Sequence, residues 1–147
     1  MLYYFAYGSN LWLNQMRERC PGCRDAGMGV LNDFRWIISR RGYATVVPSS
    51  GDVVHGRVFE LSAEDEHNLD HCEKVDEGMY LKYHLPIRLA GNTLICLVYV
   101  DPVTAPGLPQ PEYITRINNA ISDSPFPREY VLRTLRRFVP ADDDEHL

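Results

Sequence analysis

Glu73 stands four residues after Leu69 in Leu69-Asp70-His71-Cys72-Glu73-Lys74. On a helix that spacing puts both side chains on nearly one face, so the carboxylate lies at the edge of an apolar wall. Burial there disfavours the ionised form and raises the pKa toward neutrality, which suits a proton shuttle at neutral pH. The same residue also reads as a solvated member of an acidic cluster with Asp70, Asp76 and Glu77, the commoner fate of a carboxylate. A second feature lies at the start of the chain, where apolar Leu2 to Tyr7 run into Gly8-Ser9-Asn10. A strand, a tight turn and a helix start leave several N–H groups pointing one way, a nest for a carboxylate or a developing oxyanion. An ordinary buried strand ending in a turn fits the same residues.

Two other sets of reactive side chains carry less. Cys20-Pro21-Gly22-Cys23 has the spacing of half a zinc site or of a redox pair. Cys72 and Cys96 stand alone, however, and the pair follows a helix rather than opening one, so neither a metal nor a redox role is expected. His55, His67, His71, His84 and His146 form no close ligand set in sequence. No metal and no organic cofactor are expected. Arg40 and Arg41 read as a solvated loop pair.

Several elements must hold these groups. Leu2–Tyr7 is an apolar first strand, and Leu11–Cys20 follows as a helix capped by Ser9 or Asn10. Ala26–Leu31 and Phe34–Ser39 read as strands joined at a turn on Asn32-Asp33. Ala44–Val47 is a short strand ended by Pro48, with a turn at Ser49–Asp52. Val53–Leu61 is the next strand, and Gly56 inside it marks a bulge, a bend or a close approach by another backbone. Ser62 with Asp65 makes a capping box for a helix from Ala63 to Cys72 or Glu73. Met79–Leu89 and Thr93–Val100 are strands, with Pro86 favouring an edge. Glu112–Ile121 and Pro127–Phe138 are helices. Six or seven mostly consecutive strands with short connections predict an α+β fold. Its sheet is curved, mixed and mainly antiparallel, or a small β-barrel, flanked by helices.

The 147 residues suffice for one domain spanning 1–147, with the acidic tail 141–147 frayed. A net charge of −5 argues against nucleic-acid and anionic-membrane partners. The start lacks a basic n-region and its apolar run is too short for a bilayer, so a cytoplasmic location is expected. A homodimer is compatible with the chain.

Phe5-Ala6-Tyr7-Gly8-Ser9-Asn10-Leu11 resembles the signature loop of the gamma-glutamylcyclotransferase family. Glu73, followed by Gly78-Met79-Tyr80, is similar to the family segment in which a Glu serves as acid/base. Ala44-Thr45, Ser50-Gly51-Asp52, Val54 and Gly56 also resemble family positions. Ser124-Pro125-Phe126-Pro127-Arg128-Glu129-Tyr130 resembles the family's Leu-Pro-x-x-Tyr segment, with Phe126 in place of the usual Leu and Ser124-Pro125 in place of a more common Asn-Gly turn. The likeness runs from Leu2 to about Pro140.

The resemblance implies a mixed barrel flanked by helices. It implies conversion of a gamma-glutamyl amide to 5-oxoproline and a free amine, by attack of the substrate's own alpha-amino group. Glu73 is then the general acid/base, and Tyr7, Gly8, Ser9, Asn10 and Tyr130 bind substrate. Alternatives within the fold are action on gamma-glutamyl-epsilon-lysine or on a gamma-glutamyl-protected biosynthetic intermediate. An alternative of another class is a non-catalytic small-molecule-binding module.

Overall fold

A computed structural model describes residues 2–142. Residues 143–147, most of the acidic tail, and His146 within it, lie outside the described residues. The first strand, β1 (Leu2–Ala6), alternates its faces. Tyr3, Phe5 and Tyr7 pack into one apolar cluster and Leu2, Tyr4 and Ala6 into another. That period of two is what a strand covered on both sides requires.

Two long strands form the body of the sheet, β2 (Arg24–Ile38) and β3 (Ala44–Leu61). Four shorter strands were expected here. The pieces are continuous because the breaks are absorbed as bulges rather than turns. Asp33 takes left-handed angles (φ 64°) where the register shifts between Asn32 and Phe34, and its carboxylate accepts a hydrogen bond from the Gly51 amide across the ladder. Pro48 simply faces Phe34 in the pairing. Gly56 has the close approach its position implied: a Cβ there would come within 2.4 Å of the Ala6 carbonyl oxygen and 2.7 Å of the Phe5 ring.

Strands β4 (Leu81–Leu89) and β5 (Asn92–Val100) form an antiparallel hairpin. β4 meets β2 at Val30 opposite Arg88, leaving Pro86 paired with β5. β5 runs parallel to β1 with Leu97 opposite Tyr4, which closes a barrel in the order β1-β3-β2-β4-β5. The expected α+β class holds, and the sheet takes the form of the barrel. One cluster draws on all five strands and fills it, through Phe5, Leu31, Val58, Ile87 and Val98. The other covers its outside, where Leu97 and Phe59 meet Leu11 and Met16 and the buried Leu69.

Helices close the ends. A 3-10 turn at Ser9–Leu11 leads into α1 (Leu13–Arg19). α2 (Ala63–Cys72) starts with both hydrogen bonds of the capping box, Asp65 N–H to Ser62 Oγ at 3.0 Å and Ser62 N–H to Asp65 Oδ2 at 3.2 Å. Such a cap is worth about 1 kcal/mol and fixes where the helix begins. α3 (Pro111–Asp123) precedes a short turn, α4 (Arg128–Tyr130), that continues as a π-helical segment, Val131–Leu135. No helix among the described residues is long and apolar enough to cross a membrane.

Candidate active site

The phase set at Ser62 carries Leu69 into the core and puts Glu73 at the C-cap, its amide bonded to the Leu69 carbonyl at 2.8 Å. Lys74 then turns left-handed (φ 51°) and takes the chain away. The Glu73 side chain remains 18% exposed, and it opens into a cavity of about 200 Å³. Tyr7, Gly8, Ser9 and Asn10 line the same cavity. The acid and the N-terminal turn, 63 residues apart in sequence, therefore face one space.

Desolvation pushes the Glu73 carboxyl up to about 7, against the pull of Arg19 and then Arg116 in the other direction. Arg19 Nη1 lies 3.9 Å from Glu73 Oε1 and donates to Asn10 Oδ1 at 3.1 Å. Asn10 is buried and engaged through both polar atoms of its side chain, for it also donates to Tyr4 Oη at 2.9 Å and accepts from Gln15 Nε2 at 2.9 Å. Gln15 bonds Ser9 Oγ as well, at 2.8 Å. These bonds hold the turn rigid, as a preorganised site needs.

Tyrosines make up much of the wall: Tyr4, Tyr7, Tyr43, Tyr80, Tyr99 and Tyr113. Most of their hydroxyls are anchored. Tyr7 Oη donates to the Tyr99 carbonyl, Tyr80 Oη to the Ala44 carbonyl at 3.0 Å, and Tyr99 Oη to Asp70 Oδ1 at 2.7 Å. Burial drives all of these phenols up, so they stay protonated. Tyr113 Oη accepts from the Ala44 amide at 3.4 Å and stands over the turn, where a Cβ on Gly8 would come within 2.9 Å of it. Burial raises its pKa to about 12, and hydrogen bonds from Ala44 and Ser9 restrain the rise.

The structure does not bring Tyr130 to this cavity. It is buried on the core side, its ring 4.6 Å from His55 and 5.3 Å from Phe126. Sequence reasoning also passed over Arg19, Tyr99, Tyr113, Glu112 and Arg116, all of which line the space. Arg40 and Arg41 do not line it; Arg41 is tied to the Met79 carbonyl and to Asp101.

Cys20 and Cys23 lie elsewhere too. Burial pushes the Cys20 thiol up to about 12, which keeps it from acting as a thiolate. Among the described residues no group of three His, Cys, Asp or Glu side chains is placed to hold a metal ion.

The sequence model of the gamma-glutamyl cyclotransferase, AIG2-like family matches residues 4–115, which span both the turn and Glu73. The chain belongs to that family. Membership places it among cyclotransferase enzymes. Its relatives include the gamma-glutamylcyclotransferase of Homo sapiens, 28% identical over 150 residues that cover 95% of this chain and 79% of the human protein. The Mus musculus gamma-glutamylcyclotransferase is 29% identical over 138 residues, covering 86% of this chain and 73% of its own. A solved gamma-glutamyl cyclotransferase superposes with a TM-score of 0.84 at 25% identity, over 97% of this chain and 89% of the other. The barrel and its covering helices are thus those of the gamma-glutamyl cyclotransferase family.

Proposed function

We propose that the protein converts a gamma-glutamyl amide into 5-oxoproline and a free amine. The reading rests on one observation above the rest: a carboxyl group with a pKa of about 7 shares a cavity with the Gly8–Asn10 turn. Family membership supports it.

The substrate brings its own nucleophile, so the protein need not provide one. The alpha-amino nitrogen attacks the gamma-carbonyl carbon, and a C–N bond closes the five-membered ring. The carbonyl oxygen gains negative charge as it does so. Amides of the Gly8–Asn10 turn stabilise that oxyanion, with the protonated Tyr113 hydroxyl beside them. Glu73 accepts a proton from the attacking nitrogen and delivers it to the leaving nitrogen, whose C–N bond then breaks. The carboxylate is regenerated. A pKa near 7 makes both halves of that exchange accessible at neutral pH. The tyrosine-rich wall with Tyr7 and Asn10 holds the glutamyl portion folded, so that the reacting atoms meet.

The test is direct. Purified protein is incubated with a panel of gamma-glutamyl amides, and 5-oxoproline and free amine are measured together. Equal release of the two products is expected, and its absence across the panel removes the reading.

A further inference from the structure

A second cavity shares no lining residue with the first. It encloses about 210 Å³ between β2, β3 and the π-helical segment Val131–Leu135 with the residues that follow it. The buried Trp36 indole forms its floor, with the Phe138 ring edge-on at 6.0 Å. Arg35 enters from β2, Arg133 from the π-helical segment and Arg137 from just beyond it. The Arg136 amide reaches back to the Val131 carbonyl at 2.8 Å, the i to i+5 bond of a π-turn, and such turns recur at functional sites.

Three guanidiniums around one cleft stand out in a chain of net charge −5. Arg133 gives its Nε edge to Glu129 at 2.8 Å. Both side chains of that pair are exposed, so it holds weakly and leaves the Nη donors of Arg133 available. Among the described residues Arg35 and Arg137 make no hydrogen bond or ion pair. Like charges gathered in this way repel, and an anion between them relieves the repulsion. The planar forks match the oxygens of a phosphoryl group.

Asp52, on β3, is the acid that lines the cleft. Its Oδ2 accepts from Ser49 Oγ, which leaves Oδ1 for another donor. That carboxylate repels a bare anion set against it but accepts a hydrogen bond from a hydroxyl. The volume lies below the roughly 300–1,000 Å³ of drug-sized pockets, so the ligand is small.

We infer that this cleft binds a small hydroxylated phosphate monoester, with Arg35 and Arg137 on the phosphoryl oxygens, Arg133 adding a third positive charge, and Asp52 accepting from a hydroxyl of the organic part. The site does not depend on the cyclotransferase reading. Trp36 Nε1 does donate to the Tyr7 carbonyl at 2.9 Å, so the floor of this cleft touches the wall of the other, and binding is measured directly rather than through activity.

The full-length protein is titrated by calorimetry with glycerol 3-phosphate, inorganic phosphate and glycerol, at low salt and at about 0.15 M, where exposed charges are screened. Glycerol 3-phosphate is expected to bind severalfold more tightly than inorganic phosphate at both salt concentrations, and glycerol to give no signal. Replacing Arg35 and Arg137 together with Met should weaken glycerol 3-phosphate at least about tenfold, the scale of one lost charge-assisted bond. Replacing both with Lys keeps the charge without the forks and should retain part of the affinity. Arg24→Met, an exposed change at the other end of β2, should leave binding as it was. Asp52→Asn should tighten inorganic phosphate and so narrow the gap between the two ligands. Absence of phosphate binding, undiminished binding in the double Met variant, or an equal loss in Arg24→Met overturns the inference. Inorganic phosphate binding as tightly as the ester, or a gap unchanged by Asp52→Asn, also overturns it.

Discussion

Arg19 Nη1 stops 3.9 Å short of Glu73 Oε1 and gives its hydrogen bond to Asn10 Oδ1 instead, at 3.1 Å. A direct charge-assisted bond would pull a carboxyl well below its ordinary range. At this distance the guanidinium only moderates the rise that desolvation causes, and the carboxyl comes to rest at about 7. The same arginine also braces the turn that faces Glu73 across the cavity. One side chain thus links the proposed acid/base group to the proposed oxyanion donors.

Replacing Glu73 with Gln preserves shape and removes the proton carrier. Turnover of a gamma-glutamyl amide is expected to fall by roughly a hundredfold or more, with the far-ultraviolet circular dichroism unchanged. Near-full activity in a folded Glu73→Gln variant would show that the proton moves by another route.

The pH profile follows from the same group. As the base that receives the first proton, Glu73 must be ionised in the free enzyme, so kcat/KM should decline as pH falls through about 7. Removing Arg19 takes away a charge that favours the carboxylate. In Arg19→Met the acid limb should therefore shift to higher pH. A limb that stays in place, or moves down, contradicts the assignment.

Stability should carry the mark of this raised pKa as well. Between the unfolded value near 4.5 and the folded value of about 7, the native state holds a proton that the unfolded chain has lost. The contribution is full below the unfolded pKa and disappears as pH rises through 7. Above pH 7 the wild type bears a buried carboxylate that Glu73→Gln does not. The variant should then be more stable by up to about 3 kcal/mol, a gain that shrinks toward pH 4.5. Thermal melts of the two proteins at pH 5 and pH 8 give the comparison, and a Tm difference independent of pH would contradict it.

Gly56 tests the barrel rather than the chemistry. A methyl group there meets the Ala6 carbonyl and the Phe5 ring at distances no packed atom tolerates. Gly56→Ala should destabilise the protein by roughly 3 kcal/mol, measured by urea unfolding, since β1 must move from β3 to admit it. Wild-type stability in the variant would mean that this approach is looser than described.

Tyr130→Phe separates the core from the site. Among the described residues the buried Tyr130 hydroxyl makes no hydrogen bond, though the His55 backbone approaches it. Its removal should leave KM and kcat unchanged and stability equal or about 1 kcal/mol higher, because an unsatisfied buried hydroxyl is costly. A raised KM for gamma-glutamyl amides would return this tyrosine to the substrate's surroundings.

Local signals in the chain were strong where one short segment contained the whole cause. Ser62 and Asp65 predict the start of α2 because a capping box needs only four residues, and the phase counted from it places Glu73 beside Leu69. Gly8-Ser9-Asn10 predicts a turn because an apolar strand stops there, and Gly56 signals a close approach because it lacks a Cβ amid β-branched neighbours. The strand breaks expected at Asn32-Asp33 and Ser49–Asp52 were misleading. Asp33 and Gly51 have the angles of turn residues, yet they face each other across the ladder and bend two continuous strands.

The wall of the cavity had no such signal. Tyr4, Tyr99 and Tyr113 sit where a tyrosine in a strand or helix ordinarily reads as core, and Glu112 with Arg116 reads as a solvated i,i+4 pair. Tyr130 erred the other way, because its segment resembles a substrate-contacting one while its ring is held by His55 and Phe126. From its sequence alone this protein has an acid on a helix end, a backbone turn after a strand, and an α+β architecture. That the acid and the turn share one cavity was decided by closure of the barrel, through the parallel pairing of Tyr4 with Leu97 and the packing of α2 and α3 around it. Periodicity and capping act over a few residues, whereas the meeting of β1, β5, α2 and α3 depends on contacts between residues far apart in the chain, such as Tyr4 with Leu97 and Gly8 with Tyr113, which no local pattern records.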